Sequence, residues 1–195
     1  MFSLIVLNFF TVIYTVEFQK RGLPHAHIVL FLHPDNKINT ADEIDKVISA
    51  EIPDPITQPA LYKVVSESMM HGPCGLMNPK NVCMDKGKCT KLFPRAFQET
   101  TTVNEEGYPV YRRRDSGRTV EKNGHELNNG YVVPYNPTLM LKYGAHINVE
   151  WCNQAKSIKY LFKYITKGND RATMAILSNK DGGDVDEIKQ YYDCR

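Results

Sequence analysis

Two runs rich in strand formers, Thr15 to Gln19 and His25 to Leu32, flank Lys20-Arg21-Gly22-Leu23-Pro24, and this pattern limits the chain's options more than any other. Gly22 and Pro24 suit a turn, so the segment reads as a β-hairpin with a five-residue loop, Lys20 to Pro24. Beyond its two histidines the second run is apolar on both faces, which places it centrally in a sheet. His25 and His27 are two residues apart and therefore point to the same face of the strand. With that loop, Gln19 falls opposite His25 and Glu17 opposite His27, putting two imidazoles, an amide and a carboxylate on one side of the hairpin. Such a nitrogen and oxygen set suits Mg, Mn or another divalent ion that keeps open positions. Two histidines hydrogen-bonded within a core are the alternative reading.

Residues Met1 to Val16 carry no charge. The run stops short of the roughly 20 apolar residues of a spanning helix. It also lacks the basic start and small-residue cleavage site of a secretory signal, so a buried strand is expected here, with no membrane partner and no secretion.

Further on, Thr40 to Ala50 reads as a helix, with Thr40 and Glu43 at capping-box spacing. Ala60 to Met70 reads as an amphipathic helix, Ile147 to Trp151 as a strand and Gln154 to Thr166 as the best helix in the chain. Between them, residues 71–130 are glycine-rich and expected to form a loop-rich insertion to one side.

That insertion carries His71-x2-Cys74-x8-Cys83-x5-Cys89, four soft or borderline ligands that a zinc ion would close as a tetrahedral structural site. Five cysteines in all, three of them crowded here, indicate a reduced compartment rather than a disulfide framework. Ordinary reduced cysteines are the alternative. His33, His125 and His146 stand alone and read as structural or surface residues.

The net charge of +2 hides an uneven distribution. Residues 35–67 hold three basic and seven acidic groups, residues 80–122 ten basic and six acidic, and residues 142–171 six basic and two acidic. The two basic segments can grip phosphates, with Arg112, Arg113, Arg114 and Arg118 as candidates, and a solvated charge run as the alternative.

On a helical wheel of residues 154–166, Ile158, Leu161, Phe162 and Ile165 form one apolar stripe. Tyr160 and Tyr164 fall near the opposite face, one turn apart, among Lys156, Lys163 and Lys167. Packing does not explain two phenols on the wet side. Lysines near a phenol favour its phenolate and suit an anionic substrate.

The run Glu17-Phe18-Gln19-Lys20-Arg21-Gly22-Leu23-Pro24-His25-Ala26-His27-Ile28, with Tyr160-Leu161-Phe162-Lys163-Tyr164-Ile165-Thr166-Lys167-Gly168, closely resembles the Rep endonuclease domain of Helitron rolling-circle transposons, also called the Helitron helicase-like domain. The histidine–hydrophobe–histidine motif and the paired tyrosines match together, and the resemblance spans about residues 12–195. His71-Gly72-Pro73-Cys74-Gly75 and Lys88-Cys89-Thr90-Lys91-Leu92-Phe93-Pro94 also look like this family.

The resemblance implies an α+β fold, with a central, mainly antiparallel sheet flanked by helices, as one Rep-like domain over residues 1–195. It implies a metal-dependent endonuclease and strand transferase acting on single-stranded DNA in the nucleus. Tyr160 or Tyr164 would form a 5′-phosphotyrosine, and His25 and His27 would hold Mg or Mn with Gln19, or Glu17, as third ligand. Lys156, Lys163, Lys167 and Arg112 to Arg114 would bind DNA. The family usually carries a longer start and a following helicase domain, so a truncated element is expected. With no Gly-x4-Gly-Lys-Ser/Thr loop, no ATPase activity is expected. A catalytically inactive, zinc-stabilised DNA-binding remnant is the alternative.

Overall fold

The computed structural model describes residues 9–18 and 24–152. These divide into two compact units, residues 9–37 and residues 38–152. The fold is mixed α+β, and every sheet among the described residues is an antiparallel hairpin of two strands. No helix among them is long and apolar enough to cross a membrane.

In the first unit, β1 (Phe9–Phe18) pairs with β2 (Pro24–Leu32). Pro24 belongs to β2, opposite Phe18, and not to the loop. A proline lacks an N–H, and the first position of a strand tolerates that loss. The pairing differs accordingly from the sequence expectation: Glu17 lies opposite His25 and Thr15 opposite His27. Gln19 lies outside the described residues. Side chains alternate along both strands. Ile13, Thr15, Glu17, His25, His27, Val29 and Phe31 line a half-buried face, while Val12, Tyr14, Val16, Ile28 and Leu30 stand exposed on the other. Among the described residues β2 pairs with β1 alone, where the sequence placed it inside a wider sheet.

The second unit is built on three short helices and the loops between them. In α1 (Ala41–Val47) the expected capping box is present: the Thr40 Oγ1 accepts from the Glu43 amide at 3.3 Å and Glu43 accepts from the Thr40 amide at 3.1 Å. The helix ends before Ser49, whose backbone pairs with Tyr135. In α2 (Pro59–Ser68) a proline occupies the first turn, where its missing N–H costs nothing, and Leu61 and Val65 are buried.

The remaining strands are short: β3 (Met84–Asp85), β4 (Lys88–Cys89), β5 (Thr102–Val103), β6 (Pro109–Val110), β7 (Val120–Lys122) and β8 (His125–Leu127). Next comes α3 (Pro137–Tyr143), which sequence reading passed over. It is capped by Asn136, which accepts from the Leu139 amide at 2.9 Å, and ends at Gly144 in the left-handed region, φ 57°. Ile147 to Trp151 is not a strand. Its amides bond to scattered acceptors, Val149 to the Pro134 carbonyl and Trp151 to the Tyr111 hydroxyl, so no ladder forms.

One core serves this unit. Leu61, Val65, Met69 and Met70 from α2 and its exit pack with Cys74, Cys83, Cys89, Val120 and Leu127, and with Tyr135 and Met140 beside and within α3. Residues 71–130 therefore help build the core around α2 and α3.

Candidate metal centres

On the half-buried hairpin face, Glu17, His25 and His27 each offer one ligand atom, and these atoms lie within 4.8 Å of one another. The His25 and His27 rings meet edge to face with centroids 4.6 Å apart. The His27 Nε2 lies 3.6 Å from the Glu17 Oε1, a diagonal contact across the two strands. Strand alternation puts all three side chains on one face. Two imidazoles and a carboxylate fit a divalent ion with open positions by donor chemistry. Glu17, which the sequence ranked behind Gln19, is the third member of this group. Tyr160, Tyr164, Lys156, Lys163 and Lys167 lie outside the described residues.

The second group is His71, Cys74, Cys83 and Cys89, all buried, with their ligand atoms also within 4.8 Å of one another. Four ligands bound at about 2.0–2.3 Å to a common ion lie roughly 4 Å apart, so the cluster can hold a metal ion with little movement.

Several local features assemble it. His71 leaves α2 with its amide bonded to the Tyr131 carbonyl at 2.8 Å, and its ring stacks on Phe93 with centroids 4.3 Å apart. The His71 Nε2 lies 3.3 Å from the Cys89 Sγ. Gly72, at φ 103°, takes a conformation closed to other residues, and an added Cβ would stand 3.1 Å from the Cys74 amide. Asn81 bonds the Pro73 carbonyl at 2.7 Å and holds the Cys74 and Cys83 segments together. The β3–β4 hairpin, turned at Lys86-Gly87, carries Cys89 back beside Cys83. Burial alone would raise the Cys89 thiol. Hydrogen bonds with the backbone at Phe93 and Lys91, and with Cys83 and Cys74, outweigh burial and hold it below the ordinary thiol value, which favours the thiolate that binds metal.

The arginines of residues 112–118 have partners within the protein. Arg113 is 4% exposed, and its Nη1 donates to the carbonyls of Ala50 at 3.2 Å, Asn129 at 2.7 Å and Val132 at 2.7 Å. Burial pulls its pKa down to about 10, so it remains a cation at neutral pH, turned inward. Arg114 makes a two-pronged pair with Glu51, at 2.9 and 2.7 Å. Arg112 sits 3.2 Å from Asp45, and Arg118 is 2.8 Å from Asp54. These arginines tie residues 112–118 to the acidic segment around α1. The opposite net charges of residues 35–67 and 80–122 were the sequence signal for that pairing. Of the lone histidines, His146 meets the Ser68 carbonyl through Nδ1 at 2.7 Å, and exposed His33 lies 3.2 Å from Asp35.

Comparison with protein-family models and with curated proteins finds no match for the chain.

Proposed function

We propose that the chain is a metal-dependent endonuclease and strand transferase for single-stranded DNA, of the kind found in Helitron Rep domains. The observation that carries this reading is the hairpin group, in which Glu17, His25 and His27 present two imidazoles and a carboxylate within 4.8 Å. A bound Mg or Mn ion would polarise the scissile phosphate there and offset its developing charge. Glu17 serves as third ligand in preference to Gln19. The hairpin holds His25 and His27 by backbone ladder bonds, so the donor set is ordered in advance.

In the proposed reaction the oxygen of Tyr160 or Tyr164 attacks phosphorus. The new phosphotyrosine ester retains the 5′ end, the bond to the 3′ oxygen breaks, and the phenol proton passes to solvent while the released 3′ oxygen is protonated. The second tyrosine supports a second cleavage or strand transfer. This reading carries a wider Rep-like sheet and a nuclear location with it. His71, Cys74, Cys83 and Cys89 hold a structural zinc, as their burial and sulfur-rich chemistry favour.

A second reading, a catalytically inactive remnant that binds DNA, is favoured by the hairpin's other face. There Tyr14 is 65% and Ile28 60% exposed, apolar surface on the face opposite a site that needs rigid support.

A nicking assay on labelled single-stranded oligonucleotides with Mn or Mg separates the two. The wild-type chain is expected to leave a covalent protein–DNA adduct. Tyr160→Phe with Tyr164→Phe should abolish the adduct while binding persists. An adduct retained in that double variant refutes the assignment.

A further inference from the structure

The segment that carries Cys83 and Cys89 holds a second feature. Residues 80–95 contain Lys80, Lys86, Lys88, Lys91 and Arg95 against a single acid, Asp85. All five basic side chains are exposed. Among the described residues the four lysines take part in no ion pair, in contrast to the arginines at 112, 114 and 118, which Asp45, Glu51 and Asp54 occupy. We propose that this lysine-bearing loop around the cysteine cluster is the surface that grips the phosphate backbone of single-stranded nucleic acid. The choice of single-stranded DNA rests on the function proposed above.

Geometry concentrates the charge. Lys80, Lys86, Lys88 and Lys91 each lie within three residues of Cys83 or Cys89. Three residues span at most about 11 Å, so each lysine's backbone stays close to the cluster. Cys89 is buried, and its strand neighbour Lys88 points the other way, into solvent. The cluster that fixes the thiols thereby fixes the anchors of the cations.

Two residues here adopt backbone conformations that their side chains do not favour. Lys86 has φ 47° and precedes Gly87 at φ 77° in the β3–β4 turn. Both central positions of such a turn need positive φ, and asparagine is the residue that suits the first. A lysine there accepts strain and places an ammonium group at the tip of the hairpin. Leu92, at φ 60°, is 66% exposed, and nearby Val82 is 55% exposed. Apolar tips among cations match a strand whose phosphates alternate with unstacked bases. Arg95 lies over the Phe93 ring, 5.5 Å from its centroid, and extends the cationic run.

The test is fluorescence anisotropy with a labelled oligodeoxythymidine, over a range of salt, on the full chain. The triple variant Lys86→Gln, Lys88→Gln, Lys91→Gln should bind at least about tenfold more weakly at 0.1 M salt. Its log-affinity against log-salt slope should flatten by about 2, since each single-strand phosphate contact contributes about 0.7. A control, Lys46→Gln with Lys63→Gln, removes two exposed lysines from the acidic segment and should leave both values unchanged. An unaltered circular-dichroism melt in the triple variant shows that the fold is intact.

Unchanged affinity and slope in the triple variant overturn the proposal, as does a wild-type chain that fails to bind the oligonucleotide. Displacement of the oligonucleotide by polyglutamate at equal charge concentration also overturns it, because the surface would then read charge alone. A chain that never nicks DNA but shows the expected losses removes the nuclease reading and supports the lysine surface.

Discussion

The two candidate metal centres are built on opposite plans. The cysteine cluster has four ligands, all buried, drawn from the exit of α2, a loop and the β3–β4 hairpin. The hairpin group has three, all half-buried, from two neighbouring strands. A closed set of four soft ligands leaves an ion nothing to do except hold chain segments together. An open set of three hard or borderline ligands leaves positions for a substrate oxygen. The difference teaches that burial and ligand count separate a centre that stabilises from one that can act.

The largest effect that can break this comparison comes from removing one ligand at each centre. Cys83→Ser should lose the bound metal, expected as about one zinc per chain, and unfold residues 38–152, since structural zinc contributes on the order of 10 kcal/mol to small metal-dependent folds. His27→Ala should leave the thermal midpoint nearly unchanged and abolish nicking. Metal analysis with circular dichroism checks both. A folded, metal-free Cys83→Ser protein would remove the structural role.

A smaller effect concerns what else holds the cysteine-bearing unit. Replacing Arg113 with methionine leaves the carbonyls of Ala50, Asn129 and Val132 without their donor. We expect a loss of about 3 kcal/mol in urea unfolding, from buried acceptors left unsatisfied. An arginine that served only to bind DNA would show no such loss.

The smallest effect is a pH dependence. Burial would raise the Glu51 carboxyl, but hydrogen bonds and charge from Arg114, with Arg112 adding, bring it below its ordinary value of 4.5. A carboxylate lowered on folding stabilises the native state above pH 4.5 and loses that contribution as pH falls through the lowered value. Glu51→Gln should remove about 1 kcal/mol of this acid-sensitive stability, the upper end for a screened ion pair, leaving a flatter acid limb in stability measured against pH.

Features set by near neighbours were legible beforehand. The capping box of α1 needs only Thr40 and Glu43, three residues apart, and the structure contains it. The short helix α3 escaped sequence reading, because seven residues carry a weak periodic signal. The cysteine cluster depends on ligands within 19 residues of one another, and spacing with ligand type sufficed to select it. The hairpin histidines were legible too, but their partners were not. Moving Pro24 from loop to strand changes which residues face each other, and composition does not choose between those registers.

By itself, the sequence determined the capped start of α1, the helical pattern of α2 and which side chains have the chemistry to bind a metal. Only the tertiary structure decided what the arginines do. Arg114 meets Glu51 across 63 positions of chain, and Arg113 reaches the Ala50 carbonyl across the same separation. A guanidinium has the same charge whether it faces a phosphate or a buried carbonyl. The side it faces follows from how distant segments close around it, because only that packing excludes water and supplies the acceptors.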